Sequence, residues 1–188
     1  VRGDSSAKLT EAGWRAAREH GIRTVVDLRS EPELADDPPR RADVAYVRIP
    51  LSDFDRPQRD DPEDKAEALR LWYAEHLEYN ADGIAAVFRV LADAEGGVMI
   101  HCLGGKDRTG IVSALLLRLA GAPLEEIEAD YVRSEPNLRQ IFEVIHAPAG
   151  VIGPVLETVE ARHGSVAAYL LHAGLEPERL ARLQAKLA

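Results

Sequence analysis

Apolar residues recur along this chain in two rhythms, a helical spacing and short β-branched runs, and their order predicts alternating helices and strands followed by helices alone. Thr10 reads as the N-cap of a first helix, with Leu9 packing on Trp14 as a hydrophobic staple and Gly21 closing it. Residues 22–28 form a first strand ending in Asp27-Leu28-Arg29-Ser30, after which Pro32, Asp36, Asp37, Pro38 and Pro39 spell a loop. Residues 44–49 make the second strand. Asp61 as N-cap and Pro62 at the first helical position open a long helix that buries Leu69, Trp72, Tyr73 and Leu77. Asp82 starts the next helix, in which Ile84, Val87, Phe88 and Leu91 share a face, and Gly96-Gly97 releases the chain into a third strand at 98–102.

Residues 111–120 are apolar nearly all round, as suits a helix buried against a sheet, and Gly121-Ala122-Pro123 ends it. Helical spacing continues over 124–132, 138–145, 155–159, 166–170 and 180–187, punctuated by Pro136, Pro148, Gly153-Pro154, Gly164 and Gly174. The expected fold is α/β: a small central, mostly parallel sheet flanked by helices, with a helix-rich C-terminal half. At 188 residues, 46% of them apolar, the chain fits one domain over 1–188.

Charge removes one class of partner. A formal net charge of −9 lacks the Lys and Arg excess that nucleic-acid phosphates require, so no nucleic-acid partner is expected. A single cysteine makes no internal disulfide, which fits a reducing compartment and makes the cytoplasm the default location. The chain opens at Val1 rather than Met, so its native N-terminus, and with it export, stays open. The longest apolar run, 111–122, is interrupted by Ser113 and Arg118 and falls short of a bilayer span, so no transmembrane segment is expected.

The chemistry concentrates in His101-Cys102-Leu103-Gly104-Gly105-Lys106-Asp107-Arg108-Thr109-Gly110. This loop follows a strand and precedes a helix, the place where open α/β sheets bind ligands. Its backbone N–H groups, the positive end of the following helix and the planar fork of Arg108 together make a socket for a tetrahedral dianion. Such a field favours a thiolate at Cys102, which can attack phosphorus and form a phosphocysteine that water then hydrolyses. Arg108 binds two equatorial oxygens, a task for which a lysine's point charge lacks the geometry.

Leu103, Gly104, Gly105, Lys106 and Thr109 complete the phosphate-binding loop, the glycines because absent Cβ atoms allow a tight turn and close approach. An ordinary turn is the plainer reading of those glycines. Thr109 reads either as a hydrogen-bond donor to the sulfur or as a helix N-cap. Lys106 is placed to neutralise further negative charge on the substrate, and Asp107 to protonate the leaving oxygen, unless the two form a plain surface pair. His101 supports the loop through backbone or thiolate hydrogen bonds. Asp53 and Asp55, after the second strand, are the competing proton donors, Asp53 ahead of Asp55. No metal ligand set or cofactor is expected. The segments between Glu135 and His163 read as packing helices rather than a lid.

At these residues the chain resembles the cysteine-dependent phosphatase superfamily, whose motif is His-Cys, five residues, Arg, then Ser or Thr. The form His-Cys-x-x-Gly-Lys-Asp-Arg-Thr-Gly is similar to the atypical bacterial tyrosine and phosphoinositide phosphatases, also called lipid-phosphatase-like. Leu9-Thr10, Val26-Asp27-Leu28-Arg29, Ile49-Pro50-Leu51, Asp130-Tyr131 and the stretch from Gly164-Ser165 through Tyr169-Leu170 to Gly174-Leu175 extend the likeness over most of the chain. The resemblance implies metal-independent hydrolysis of phosphotyrosine in proteins, with breadth toward phosphoserine, phosphothreonine and phosphoinositides. It also implies that a loop aspartate, here Asp107, replaces the mobile acid loop of ordinary tyrosine phosphatases; no Trp-Pro-Asp occurs in this chain.

Two other classes compete. A rhodanese-like sulfurtransferase also seats a cysteine in an anion-binding loop, but Asp107 beside the sulfur opposes an anionic persulfide and Arg108-Thr109 has no task there. A non-enzymatic binder of phosphorylated protein or lipid would keep the socket without turnover, which leaves Cys102, Asp107 and Arg108 together unexplained.

Overall fold

The computed structural model describes residues 1–35, 44–51, 65–138 and 147–188. Four strands, β1 (Arg2–Gly3), β2 (Ile22–Asp27), β3 (Ala45–Arg48) and β4 (Gly97–His101), form one sheet in the order β1-β4-β2-β3, with every neighbouring pair parallel. Strand β1 has no counterpart in the sequence reading, because two residues carry no periodicity.

Helix α1 (Glu11–Glu19) begins as its sequence requires: Thr10 accepts from the Gly13 N–H, and Leu9 joins Trp14 in one apolar cluster. That cluster, with Ile22, Val25 and Met99, covers one face of the sheet. Val26 and Ile100, one position on, face the other way into the main core, as the two-residue period of a strand dictates.

The main core is built by α3 (Lys65–Tyr79), α4 (Ala81–Asp93), α5 (Asp107–Leu119), α6 (Leu124–Val132), α8 (Ile152–His163), α9 (Val166–His172) and α10 (Pro177–Leu187). Two short α-helices, α2 (Glu31–Ala35) and α7 (Ser134–Leu138), also lie among the described residues. Helix α2 corrects the loop expected at Pro32, which sits at the second helical position, where its missing N–H costs nothing. Helix α8 packs against α3, α5, α6 and α9 and buries Val155, Leu156 and Val159, so it is core rather than lid. Its first turn is tied to α6 by Glu128, whose carboxylate accepts from the N–H groups of Gly150, Val151 and Gly153.

Asp53, Asp55, the Asp61-Pro62 helix start and most of the 138–145 segment lie outside the described residues. Among the described residues, no helix is long and apolar enough to cross a membrane.

Candidate active site

Strand β4 ends at His101, and the next five residues turn directly into α5, so the loop stands at the carboxyl edge of the sheet, at the end of one of its two inner strands. Cys102 is buried at 2% exposure, and its Sγ accepts the Gly105 N–H at 3.2 Å. A sulfur that turns back to meet an amide of its own loop sits in the field of the peptide dipoles.

The loop's carbonyls are anchored from outside. Cys102 O accepts from His101 Nδ1 (3.2 Å), Leu103 O from the Ser5 N–H (3.3 Å) and Gly105 O from Arg2 Nη2 (3.4 Å). In a trans peptide the N–H points opposite to the C=O, so each anchor directs the next amide, those of Leu103, Gly104 and Lys106, away from the anchoring group. Of the two loop glycines, Gly105 is the one with positive φ, at 72°, and a Cβ there would lie 2.5 Å from Gly3 O. The glycine is demanded by close approach to β1 as well as by the turn.

A carbonyl only accepts, so His101 Nδ1 carries the proton, while Nε2 lies 3.1 Å from the Ser6 hydroxyl and 3.8 Å from Asp27 Oδ2. His101 therefore ties the loop backbone to the N-terminal segment.

Arg108 lies at the second position of α5, buried, with its guanidinium aimed across the sheet. Nη1 donates to Leu28 O (3.3 Å) and to Glu33 Oε2 (2.7 Å), and Nη2 donates to Glu33 Oε1 (2.6 Å). Burial pushes the Glu33 carboxyl up, but hydrogen bonds from Arg108 and from the Ser30 N–H outweigh it and bring it down to about 2. Beneath the loop, Asp27 accepts from the Arg29 backbone N–H, Nε and Nη2 and from the Tyr46 hydroxyl, while Arg29 Nη1 reaches Ser5 Oγ. The strand-end run Asp27-Leu28-Arg29 is thus a buried seat for both the loop and Arg108.

Asp107 opens α5, with its side chain 36% exposed. Its Oδ1 accepts from the Tyr73 hydroxyl at 2.6 Å and lies 3.3 Å from Lys106 Nζ. The Lys106–Asp107 pair does form, but Lys106 is buried at 6%, so it is no solvated surface pair. Thr109 is neither the helix cap, a position held by Lys106, nor bonded to the sulfur in this structure. Its hydroxyl is fully buried and has no hydrogen-bond partner among the described residues. A buried hydroxyl left unpaired costs about 1–3 kcal/mol, which an incoming acceptor would recover.

Glu33, Tyr73, Arg2 and Ser6 are site residues that sequence reasoning did not single out. Tyr73 is legible only as core, and Glu33 falls in the stretch read as loop.

A family model described as the tyrosine phosphatase family matches residues 1–188. The chain belongs to that family. This phosphatase is 29% identical over 219 residues to a tyrosine-protein phosphatase of Nostoc commune, an alignment covering 100% of the chain and 73% of that protein. It is 28% identical over 247 residues to the triple specificity protein phosphatase PtpB of Mycobacterium tuberculosis, covering 99% of the chain and 89% of that protein. The phosphatase is accordingly a hydrolase of phosphoric monoesters, and the sulfurtransferase and pure-binder readings fall away. The phosphocysteine route is the family's general mechanism.

Proposed function

We propose that Cys102, Asp107 and Arg108 carry the hydrolysis. The observation that supports this best is the sulfur of Cys102 accepting a loop amide at 3.2 Å at the head of a turn closed by a buried arginine. The Cys102 thiolate attacks phosphorus in line with the leaving oxygen. The P–O bond breaks, and Asp107 gives the leaving oxygen its proton. Water then attacks the phosphocysteine, Asp107 takes a proton from it, and the S–P bond breaks to release inorganic phosphate and the thiolate.

Arg108 and the amides of Leu103, Gly104 and Lys106 hold the equatorial oxygens, the Gly105 amide serves the sulfur, and the Thr109 hydroxyl is a further donor. Lys106, buried beside the loop, adds positive charge that suits a dianion. Asp53 is the competing donor. The substrates we assign are tyrosine phosphates in proteins, with phosphoserine, phosphothreonine and phosphoinositide phosphates as further substrates. A reducing compartment such as the cytoplasm suits a nucleophile that works only as a free thiolate.

The test is phosphate release from a phosphotyrosyl peptide and from phosphoinositide vesicles in the presence of a chelator. Wild-type protein should turn over, and Cys102→Ser and Arg108→Ala should each lose nearly all activity. Turnover retained by Cys102→Ser would end the cysteine mechanism.

A further inference from the structure

We infer that Tyr73 and Tyr131 are positioning residues that hold Asp107 by a chain of hydroxyls, a role that rests on Asp107 being the proton donor proposed above. Tyr73, on α3, reaches Asp107 Oδ1 at 2.6 Å and the Tyr131 hydroxyl, on α6, at 2.8 Å. A phenol has one proton to give. The carboxylate is the stronger acceptor, so the Tyr73 proton points to Asp107 and Tyr131 donates to the Tyr73 oxygen. The chain runs in one direction, from Tyr131 through Tyr73 to Asp107.

Burial, followed by the charge of Asp107, pushes the Tyr73 phenol well above its ordinary range, and burial raises Tyr131 as well, so both keep their protons through neutral pH. They remain donors whatever the state of Asp107. Both rings are locked: Tyr73 is fully buried, packs on Trp72 and meets the Tyr131 ring edge-on, while Tyr131 lies against the Gly110 backbone, where a Cβ would come within 3.3 Å of its ring.

The two carboxyl oxygens of Asp107 therefore differ in task. Oδ1 is taken by Tyr73 and Lys106, whereas Oδ2 accepts no hydrogen bond among the described residues. The proton therefore resides on Oδ2 when Asp107 is an acid, and Oδ1 stays fixed to the helices. When that proton leaves, charge on the carboxylate strengthens the Tyr73 bond, so the chain favours the product of proton transfer.

The experiment compares wild type, Tyr73→Phe, Tyr131→Phe and Asp107→Asn on aryl phosphates whose leaving groups range from acidic nitrophenols to phenol, scoring kcat and KM separately. For Tyr73→Phe the loss in kcat should grow with leaving-group basicity, reaching about tenfold more for phenyl phosphate than for the nitrophenyl ester, with KM moving less. Tyr131→Phe should show the same trend at smaller amplitude and provides the test if Tyr73→Phe fails to fold. In the Asp107→Asn background neither substitution should steepen the dependence further. Equal losses across the series, or a full Tyr73→Phe effect without Asp107, would overturn the positioning role while leaving Cys102-dependent turnover intact. Absence of any Cys102-dependent turnover would overturn the phosphatase site itself, and the role of the chain with it.

Discussion

Both terminal nitrogens of Arg108 are held by the Glu33 carboxylate, Nη1 to Oε2 at 2.7 Å and Nη2 to Oε1 at 2.6 Å. This bidentate fork fixes the plane of the guanidinium. Glu33 thus sets the orientation of the arginine. Glu33→Ala should remove the bidentate carboxylate that holds a buried Arg108, lowering stability by roughly 2–4 kcal/mol and kcat/KM by at least about tenfold. Glu33→Gln, which keeps the shape, should lose less of both. Denaturant titration and steady-state kinetics check the pair; full activity in Glu33→Ala would mean that Arg108 needs no fixed orientation.

Arg2 joins three parts of the molecule, donating to Asp130 Oδ2 at 2.6 Å, to Ser134 Oγ and to the loop carbonyl of Gly105. Removing it frees that carbonyl and lets the Lys106 amide swing from the site. Arg2→Ala and Asp130→Ala should each lower kcat/KM, and the double variant should lose little beyond either, because both act through one contact. A double-mutant cycle on kcat/KM measures the coupling.

Gly105 combines a φ of 72° with β1 pressed against it. Gly105→Ala would set a methyl 2.5 Å from the Gly3 carbonyl oxygen, a distance real structures avoid, so β1 must move. Near-complete loss of activity with a lowered melting temperature is expected, while Gly121→Ala, with a similar φ of 84° and open space around it, should cost stability only.

Two of the groups that shape the acid side of the stability profile are His76 and Glu33. His76 is fully buried, and burial, reinforced by the charge of Arg108, lowers it from 6.5 to about 4, so the unfolded chain takes up a proton that the folded one refuses. Stability from His76 is complete above pH 6.5 and is lost as pH falls toward 4, by roughly 3 kcal/mol at most. Glu33, lowered from 4.5 to about 2, adds a second loss between those two values. Thermal melts from neutral to acid pH should show both falls, with His76→Gln flattening the upper one and Glu33→Gln the lower.

The parts of this protein that were legible in its sequence are those determined over a few residues. Thr10 and Leu9 mark the start of α1, Gly21 its end, and Cys102 to Thr109 carry the loop, because capping, turns and phosphate cradles are local physics. Contacts made across the fold were not legible. Glu33 meets Arg108 over 75 residues, Arg2 meets Asp130 over 128, and Tyr73 meets Asp107 over 34, separations at which no periodicity carries a signal. Pro32 and its acidic neighbours look like a loop, yet α2 needs a short helix there to aim Glu33 at the arginine. Tyr131 could have been noticed, since it belongs to an Asp-Tyr pair shared with the resembled family, but nothing local tells a core tyrosine from one that holds a carboxyl.

The central claim is that phosphorus passes through the sulfur of Cys102. Rapid acid quenching during turnover of a phosphotyrosyl peptide, followed by mass analysis of the proteolytic fragments, reads this directly. The fragment containing Cys102 should gain the mass of one phosphoryl group, held through sulfur, and Cys102→Ser should show no such turnover-competent species. Product formation by the wild type with that fragment unmodified at every quench time, and the phosphoryl group found on another residue, would contradict it.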